Sequence, residues 1–478
     1  MTDQVSETIK ADICVIGAGS GGLSVAAGAS QMGANVVLVE RGKMGGDCLN
    51  YGCVPSKALI AAAHAAHTAR TSAKFGVING EPEVDFAAVR AHVRGVIAAI
   101  EPNDSVERFT SMGVRVVESE GRFLSPSVLQ AGDIRIEAKK FVVATGSSAM
   151  VPPIPGLSDT PYLTNETIFD LDKGPEHLIV IGGGPIGAEL AQAHRRLGAQ
   201  VTMLEMFDFL GKDDAELTAV VRRQFEAEDI DIRTGVKIVK TMKTSDGIEV
   251  TIEEAGAEQT MRGSHLLIAA GRRPNIENLD LDVAGIEYSP KGIKVDNRLR
   301  TSNRRIFAIG DVISGLQFTH IAGYHAGIVI RNALLKLPAK VKYKAAPWVT
   351  YTDPELAHVG MTEDAARKAG VAGFNILRWP FHENDRAQTE RAVDGMIKVI
   401  VDRKGRVLGA TLAGSHAGEL LAPWIMAVDQ GQKIGTMAGL IFPYPTLSEV
   451  SKRAAGSYFT PKLFSERIKP IVRFLQKF

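Results

Sequence analysis

DICVIGAGSGGLSVAAGASQMGANVVLVE, residues 12–40, and HLIVIGGGPIGAELAQAHRRLGAQVTMLE, residues 177–205, are two versions of one pattern. Each has a short apolar run, a glycine cluster, a helix of small residues, a Gly-Ala turn, a second apolar run and a closing glutamate. That is the βαβ dinucleotide fingerprint, present twice. Gly17 and Gly182 permit the strand-to-helix turn. Gly19 and Gly184 let the backbone approach a pyrophosphate, where unpaired N–H groups and the helix dipole favour an anion. Gly22 and Gly187 allow close packing of helix on strand, and Glu40 and Glu205 are placed to accept hydrogen bonds from ribose hydroxyls. One glycine loop of this kind is weak evidence; two, each with its strands and its spaced acid, predict two nucleotide sites. A flavin and a nicotinamide are the expected pair, because hydride can pass between them.

The motifs organise the rest of the 478 residues. The expected fold class is α/β, with two Rossmann-like nucleotide-binding domains. Residues 1–150 form the first part of the flavin domain, ending in a strand and the Gly/Pro-rich stretch around VPPIPG. Residues 151–271 carry the nicotinamide domain, and 272–343 return to the flavin domain. From 344 to 478, alternating apolar stretches (APWVTYTD, MIKVIVD, VLGATLAG) predict an antiparallel sheet followed by helices.

Composition narrows the function classes. With 45% hydrophobic and 23% charged residues and a net charge of +1, the chain reads as globular, with no reason to expect nucleic acid as a partner. The opening MTDQVSETIK lacks a basic leader segment, and no apolar run approaches the roughly 18 residues that span a bilayer, so the expectation is a cytoplasmic protein. Three cysteines cannot build a secreted disulfide framework. Cys14 lies in the first strand and reads as a core residue.

The other two cysteines stand in MGGDCLNYGCVPSKALI, residues 44–60. Cys48 and Cys53 are five positions apart, and a helix is predicted from Ser56, with Pro55 in its first turn. A helix N-terminus increases thiolate character, as redox sulfur requires. A zinc site would need four ligands, and no second Cys or His cluster supplies them, so no metal is expected. His64 and His67, three apart on the alanine-rich helix, read as surface or packing residues.

The chain resembles the class I pyridine nucleotide–disulfide oxidoreductases, the family of dihydrolipoamide dehydrogenase, glutathione reductase and mercuric reductase. The likeness runs through GAGSGG at 17–22, GGDCLNYGCVPSK at 45–57, ATG at 144–146, GGGPIGAE at 182–189, GRRPN at 271–275, TSNRRIFAIGD at 301–311, TDPELAHVGMTE at 352–363 and PTLSE at 445–449. The resemblance implies FAD and NAD as cofactors and a C-terminal α+β dimerisation domain. It implies Cys48 as the interchange thiol and Cys53 as the sulfur facing the flavin. Lys57 would lie near the flavin, paired with Glu189; Thr145, Gly146, Gly310 and Asp311 would hold FAD, and Gly271 would border the NAD site. A twofold homodimer is implied, with Tyr444 and Glu449 serving the neighbouring subunit's active site. NADH is favoured over NADPH, because Glu205 would repel a 2′-phosphate and MFDFLG, which follows, has no arginine to neutralise one.

The pattern departs from the family at one catalytic position. The disulfide reductases carry His-Pro-Thr-x-Ser-Glu; here the motif is Tyr444-Pro-Thr-Leu-Ser-Glu449. Tyr titrates near ~10 and His near ~6.5, a difference of about 3.5 units or roughly 5 kcal/mol. Neutral Tyr is a poor base at pH 7, so turnover of a lipoyl-type substrate would lose its usual proton carrier. Mercuric reductase also has Tyr here, yet it uses a C-terminal cysteine pair, and no cysteine follows Cys53 in this chain. The expected activity is NADH-dependent reduction of a thiol/disulfide acceptor, with metal-ion reduction as the alternative. The terminal stretch combines Leu463, Phe464, Ile468, Ile471, Val472 and Leu475 with Lys462, Arg467, Lys469, Arg473 and Lys477. It reads as a helix packed on its own dimer with a solvated basic face, in preference to one lying on anionic lipid.

Overall fold

β1 (Glu7–Ile16) passes from exposed to wholly buried, and Ile13 to Ile16 lie between parallel neighbours on both edges. A strand covered on both faces reads as a continuous apolar run, which is why ICVI shows no alternation. The structure, a computed structural model, describes residues 6–478. They form two compact units: residues up to 182 with 193–202 and 237–341, and residues 183–192 with 203–236 and 342–478.

In the first unit β1 is followed by α1 (Ser20–Gln31) and β2 (Val36–Glu40). A seven-stranded sheet runs in the order Val114–Glu118, β2, β1, Ile134–Val143, Val128–Ala131, Gly121–Ser125, with Ile306–Ala308 pairing in parallel against Ile134–Val143. Register sets Ile16 opposite Val39 on one side and Val143 on the other, so three strands end together beside Gly17. Cys14 is a core residue, opposite Phe141, and burial pushes its thiol up.

The second motif repeats this closure. His177–Ile181 pairs in parallel with His265–Ile268. Ala144 donates its N–H to Ile16 at 2.8 Å, and Ala269 donates to Ile181 at 2.8 Å. A Cβ on Gly17 would stand 2.4 Å from the Ala144 oxygen, and one on Gly182 would stand 2.3 Å from that of Ala269. The same unit holds an antiparallel meander that sequence periodicity did not reveal: Lys237–Thr244, Gly247–Glu254 and Ala257–Gly263.

The second unit holds the antiparallel sheet expected after residue 344. Its order is Pro347–Thr350, Glu355–Gly360, Val407–Gly414, Met396–Val401, Asn375–Pro380, and helices including Ala422–Asp429 and Glu449–Ser457 follow. Trp424 and Phe381 fill its core. Lys398, buried, places its ammonium 2.9 Å from Asp214, 3.0 Å from Glu216 and 2.8 Å from Glu363, so the charge is fully partnered. Among the described residues no helix is long and apolar enough to cross a membrane.

His194 generates a pH-dependent prediction. It is 1% exposed, stacks on Phe86 and has no hydrogen-bond partner on either ring nitrogen; burial lowers its pKa to about 4. The unfolded chain protonates this side chain near ~6.5. As pH falls the unfolded state therefore takes the proton first, and stability present above ~6.5 is lost down to pH ~4. His194→Leu removes that loss. In urea unfolding, the stability difference between variant and parent should be about 2 kcal/mol more favourable at pH 5 than at pH 8; an equal difference at both pH values refutes the assignment.

Candidate redox-active site

Two consecutive glycines in left-handed conformations, Gly45 (φ +83°) and Gly46 (φ +58°), turn the chain into α2 (Gly46–Asn50), which carries Cys48. After Tyr51 and Gly52, α3 (Cys53–Thr71) begins at Cys53 itself. The helix thus starts three residues before the predicted Ser56. Pro55 falls inside its first turn, where a missing N–H leaves no bond unmade. No side chain caps this helix, and the Cys53 N–H at its start donates to the Cys48 sulfur. Cys48 is half-buried and Cys53 exposed. The two sulfurs are hydrogen-bonded to each other, and Cys53 Sγ stands 3.7 Å from Thr319 Oγ1. The bond to Cys53, then burial, pushes the Cys48 thiol up. Two thiols in contact, one at a helix start that favours thiolate, can interconvert with a disulfide without rearranging the loop.

The cysteine loop is docked on the first glycine loop. Gly45 donates its N–H to the Ala18 oxygen at 3.0 Å, and a Cβ on Gly46 would stand 2.7 Å from Gly19 Cα. α1 starts after Gly19 with no side-chain cap and no acidic residue in its first turn, and a Cβ on Gly19 would meet nothing within 4 Å. That open, amide-lined cradle fits a pyrophosphate. Gly22 is the opposite case, because a Cβ there would stand 1.8 Å from the Gly17 oxygen. Glu40 is already engaged: its carboxylate accepts from Ala18 N–H at 2.6 Å and Gly42 N–H at 2.7 Å. Beside it opens a groove lined by Gly17, Glu40, Arg41, Glu120, Thr145 and Asn275. These residues fit the dinucleotide half of FAD.

Farther along the same unit lies a polar network that the motifs did not reveal. Arg272 donates from Nε to Ser147 Oγ and from Nη2 to the Ser147 carbonyl, each at 2.7 Å. Its guanidinium also stands 3.2 Å from Asp47 and 3.8 Å from Asp311. Ser147 Oγ donates to Asp311 at 2.7 Å, and Asn165 donates to Asp47 and to the Tyr51 carbonyl at 3.1 Å each. Burial raises the Asp311 pKa, opposed by the Ser147 hydrogen bond and the Arg272 charge. Thr145 and Gly146 are fixed by Asn275, which accepts from Thr145 Oγ1 and donates to the Thr145 and Gly146 carbonyls. Gly310 donates its N–H to His325 Nδ1 at 3.1 Å; buried, with a pKa lowered to about 4, His325 acts there as a neutral acceptor.

In the second motif Glu205 repeats the role of Glu40, accepting from Gly183 N–H at 2.6 Å and Phe207 N–H at 2.9 Å. Gly184 is open, Gly187 is buried and Gly271 has φ +120°. Glu189 is buried and accepts from Tyr351 N–H at 2.9 Å; Lys57 is half-buried, about one turn past Cys53 in α3. In the second unit Tyr444 is exposed, and its hydroxyl donates to Asp385 Oδ2 at 2.9 Å. That bond raises the Tyr444 pKa, and the charge of Glu449, first residue of the helix Glu449–Ser457, adds to the effect. The phenol thus keeps its proton to higher pH than an isolated tyrosine does. Asp385 went unnoticed in the sequence, where nothing links it to residue 444.

Arg272→Met would leave Asp47 and Asp311 facing each other's charge without a cation. The expected loss is about 3 kcal/mol of stability, with FAD released at lower urea than in the parent. Arg272→Lys should restore only part of it, because an ammonium cannot serve Ser147 and Asp47 in the same fork geometry. Full recovery by lysine would show that charge alone matters.

Comparison with known proteins agrees with this architecture. The family model "Pyridine nucleotide-disulphide oxidoreductase" matches residues 11–326, and its dimerisation domain matches residues 346–455, which supports a homodimer. Mercuric reductase of Streptomyces lividans is 35% identical over 456 residues, covering 94% of this chain and 96% of that one. Dihydrolipoyl dehydrogenase of Haloferax volcanii is 36% identical over 457 residues, covering 93% and 95%. Among solved structures, the HOCl-induced flavoprotein disulfide reductase RclA from Escherichia coli superposes with a TM-score of 0.84 at 28% identity, covering 93% of this chain and 99% of that one. Two Rossmann-like domains, a dimerisation domain and these relatives make the chain a member of the pyridine nucleotide–disulphide oxidoreductase family, FAD-dependent oxidoreductases that use NAD(P)H and act on sulfur.

Proposed function

We propose that this chain is a dihydrolipoamide-dehydrogenase-like NADH:disulfide oxidoreductase whose working pair is Cys48 and Cys53. The observation that carries the reading is the docking of the cysteine loop on the first glycine loop, through Gly45 to Ala18 and Gly46 against Gly19. FAD, when bound, supplies the two-electron relay between a reduced nicotinamide and a disulfide. Gly17, Gly19, Gly22, Thr145, Gly146, Gly310 and Asp311 would hold it, with Lys57 and Glu189 as a pair beside it. Gly182, Gly184, Gly187, Glu205 and Gly271 would hold NADH, whose free 2′-hydroxyl suits Glu205 better than a phosphate would. Residues 1–150 and 272–343 would form the flavin domain, 151–271 the nicotinamide domain and 344–478 the interface.

In the reduced pair, Cys48 thiolate attacks one sulfur of the substrate disulfide, and the departing sulfur takes a proton. Cys53 then attacks Cys48, releasing the second substrate thiol and leaving a Cys48–Cys53 disulfide to be reduced again. The balance is one NADH, one proton and one disulfide converted to NAD⁺ and two thiols. Tyr444 and Glu449 would border this reaction from the neighbouring subunit. Because the Tyr444 proton is held by Asp385, solvent would supply the proton that a histidine would otherwise carry. A second reading, reduction of a soft metal ion by the inner dithiol, is favoured by tyrosine at position 444 and by the mercuric reductases among the relatives.

Steady-state assays separate the two. Cys48→Ser should abolish NADH-dependent lipoamide reduction while NADH still bleaches the flavin. Tyr444→His should raise lipoamide turnover about 100-fold, the usual worth of a positioned base. Complete inactivity toward lipoamide despite normal flavin bleaching removes the first reading. NADH oxidation stimulated by Hg(II) in excess thiol would favour the second.

A further inference from the structure

Beyond residue 455, where the match to the family's dimerisation domain ends, the chain continues through the helices Thr460–Leu463 and Ile468–Leu475. No residue from 460 to 478 is buried. Phe464 is 78% exposed and Phe478 95%, and Ile471, Val472, Phe474 and Leu475 are exposed as well. At about 100° per residue, Ile468, Ile471, Val472, Phe474, Leu475 and Phe478 fall on one arc of roughly 160°. Lys469, Arg473, Gln476 and Lys477 occupy a separate arc. Phe474 and Phe478 already touch edge to face, with ring centroids 5.5 Å apart, extending the apolar side past the helix end.

Five basic residues stand in this segment against one acid, Glu466. That acid is taken by Lys469, and Lys462 lies over the Tyr458 ring, which leaves Arg467, Arg473 and Lys477 for an external anion. On sequence alone the helix reads as packed on its own dimer. What points to its occupant is the pairing of the two arcs, apolar beside basic, in a stretch outside residues 346–455. A twofold contact through the apolar arc would leave the basic arc facing water with no anion to meet it. Anionic headgroups neutralise such an arc while acyl chains receive the apolar one.

We propose that residues 462–478 form an interfacial anchor that lays Phe464, Ile471, Leu475 and Phe478 into the surface of an anionic bilayer. The anchor is independent of the redox reading, because none of its residues belongs to the candidate site. The test is sedimentation of the full-length, FAD-loaded enzyme with extruded vesicles. One set is phosphatidylcholine with about 30% phosphatidylglycerol; the other is phosphatidylcholine alone. The expected result is at least about 10-fold more protein bound to the anionic vesicles, with binding falling as salt rises. Ile471→Glu with Leu475→Glu should abolish binding while NADH oxidation and the sedimentation coefficient stay unchanged. Lys469→Glu with Arg473→Glu should weaken binding and flatten its salt dependence. Failure of the parent to bind anionic vesicles, or binding by the glutamate variant equal to the parent's, overturns the proposal. Conversion of the dimer to a monomer by Ile471→Glu with Leu475→Glu would also overturn it, assigning the face to a second copy.

Discussion

The site depends on main chain being able to lie against main chain. Gly22 brings α1 onto the Gly17 carbonyl, at a place where any Cβ would stand 1.8 Å from that oxygen. Gly46 brings the cysteine loop onto Gly19 in the same way. With both approaches in place, the start of α1, the start of α3 and the ends of three parallel strands converge on one region of the first unit. The starts of two helices without side-chain caps are thereby gathered in one place. A side chain at Gly22 would push α1 off the Gly17 turn, and one at Gly46 would part the cysteine loop from the first glycine loop.

The polar network around Arg272 links this backbone framework to the loop that carries Cys48 and Cys53. Asp47 belongs to α2, next to Cys48, and Asp311 lies in the turn after Ile306–Ala308; one guanidinium serves both. Arginine suits the position because its planar fork reaches Ser147 and a carboxylate together. Asp311 lies close to a second carboxylate, and the cation offsets that repulsion. At residue 444 a comparable arrangement works the other way. Asp385 accepts the phenolic hydrogen bond and keeps the tyrosine neutral, so the side chain at this position holds its proton.

What the sequence disclosed was local. Glycine spacing, the two closing glutamates, the cysteine pair and the C-terminal antiparallel sheet all follow from residues within a few turns of one another. Arg272, Asp47 and Asp311 lie far apart in the chain, and no periodicity announces that they meet. The same holds for Tyr444 with Asp385 and for His194 against Phe86. α3 starts at Cys53, three residues before the predicted Ser56, because proline fits inside a first turn as well as at its edge. The meander at 237–263 was hidden because its strands are largely polar on their outer faces, which blunts the apolar signal.

Glu40 and Glu205 carry a consequence for attempts to change coenzyme preference. Each spends both carboxylate oxygens on the peptide groups of its own glycine-rich turn, in addition to any sugar it meets. Replacing Glu205 with a small neutral residue, the usual first step toward accepting a phosphorylated ribose, would release Gly183 and Phe207 at the same moment. Selectivity and loop shape are therefore inherited together in this protein. A redesign that alters one must supply new acceptors for those two amides, or the glycine-rich turn will slacken.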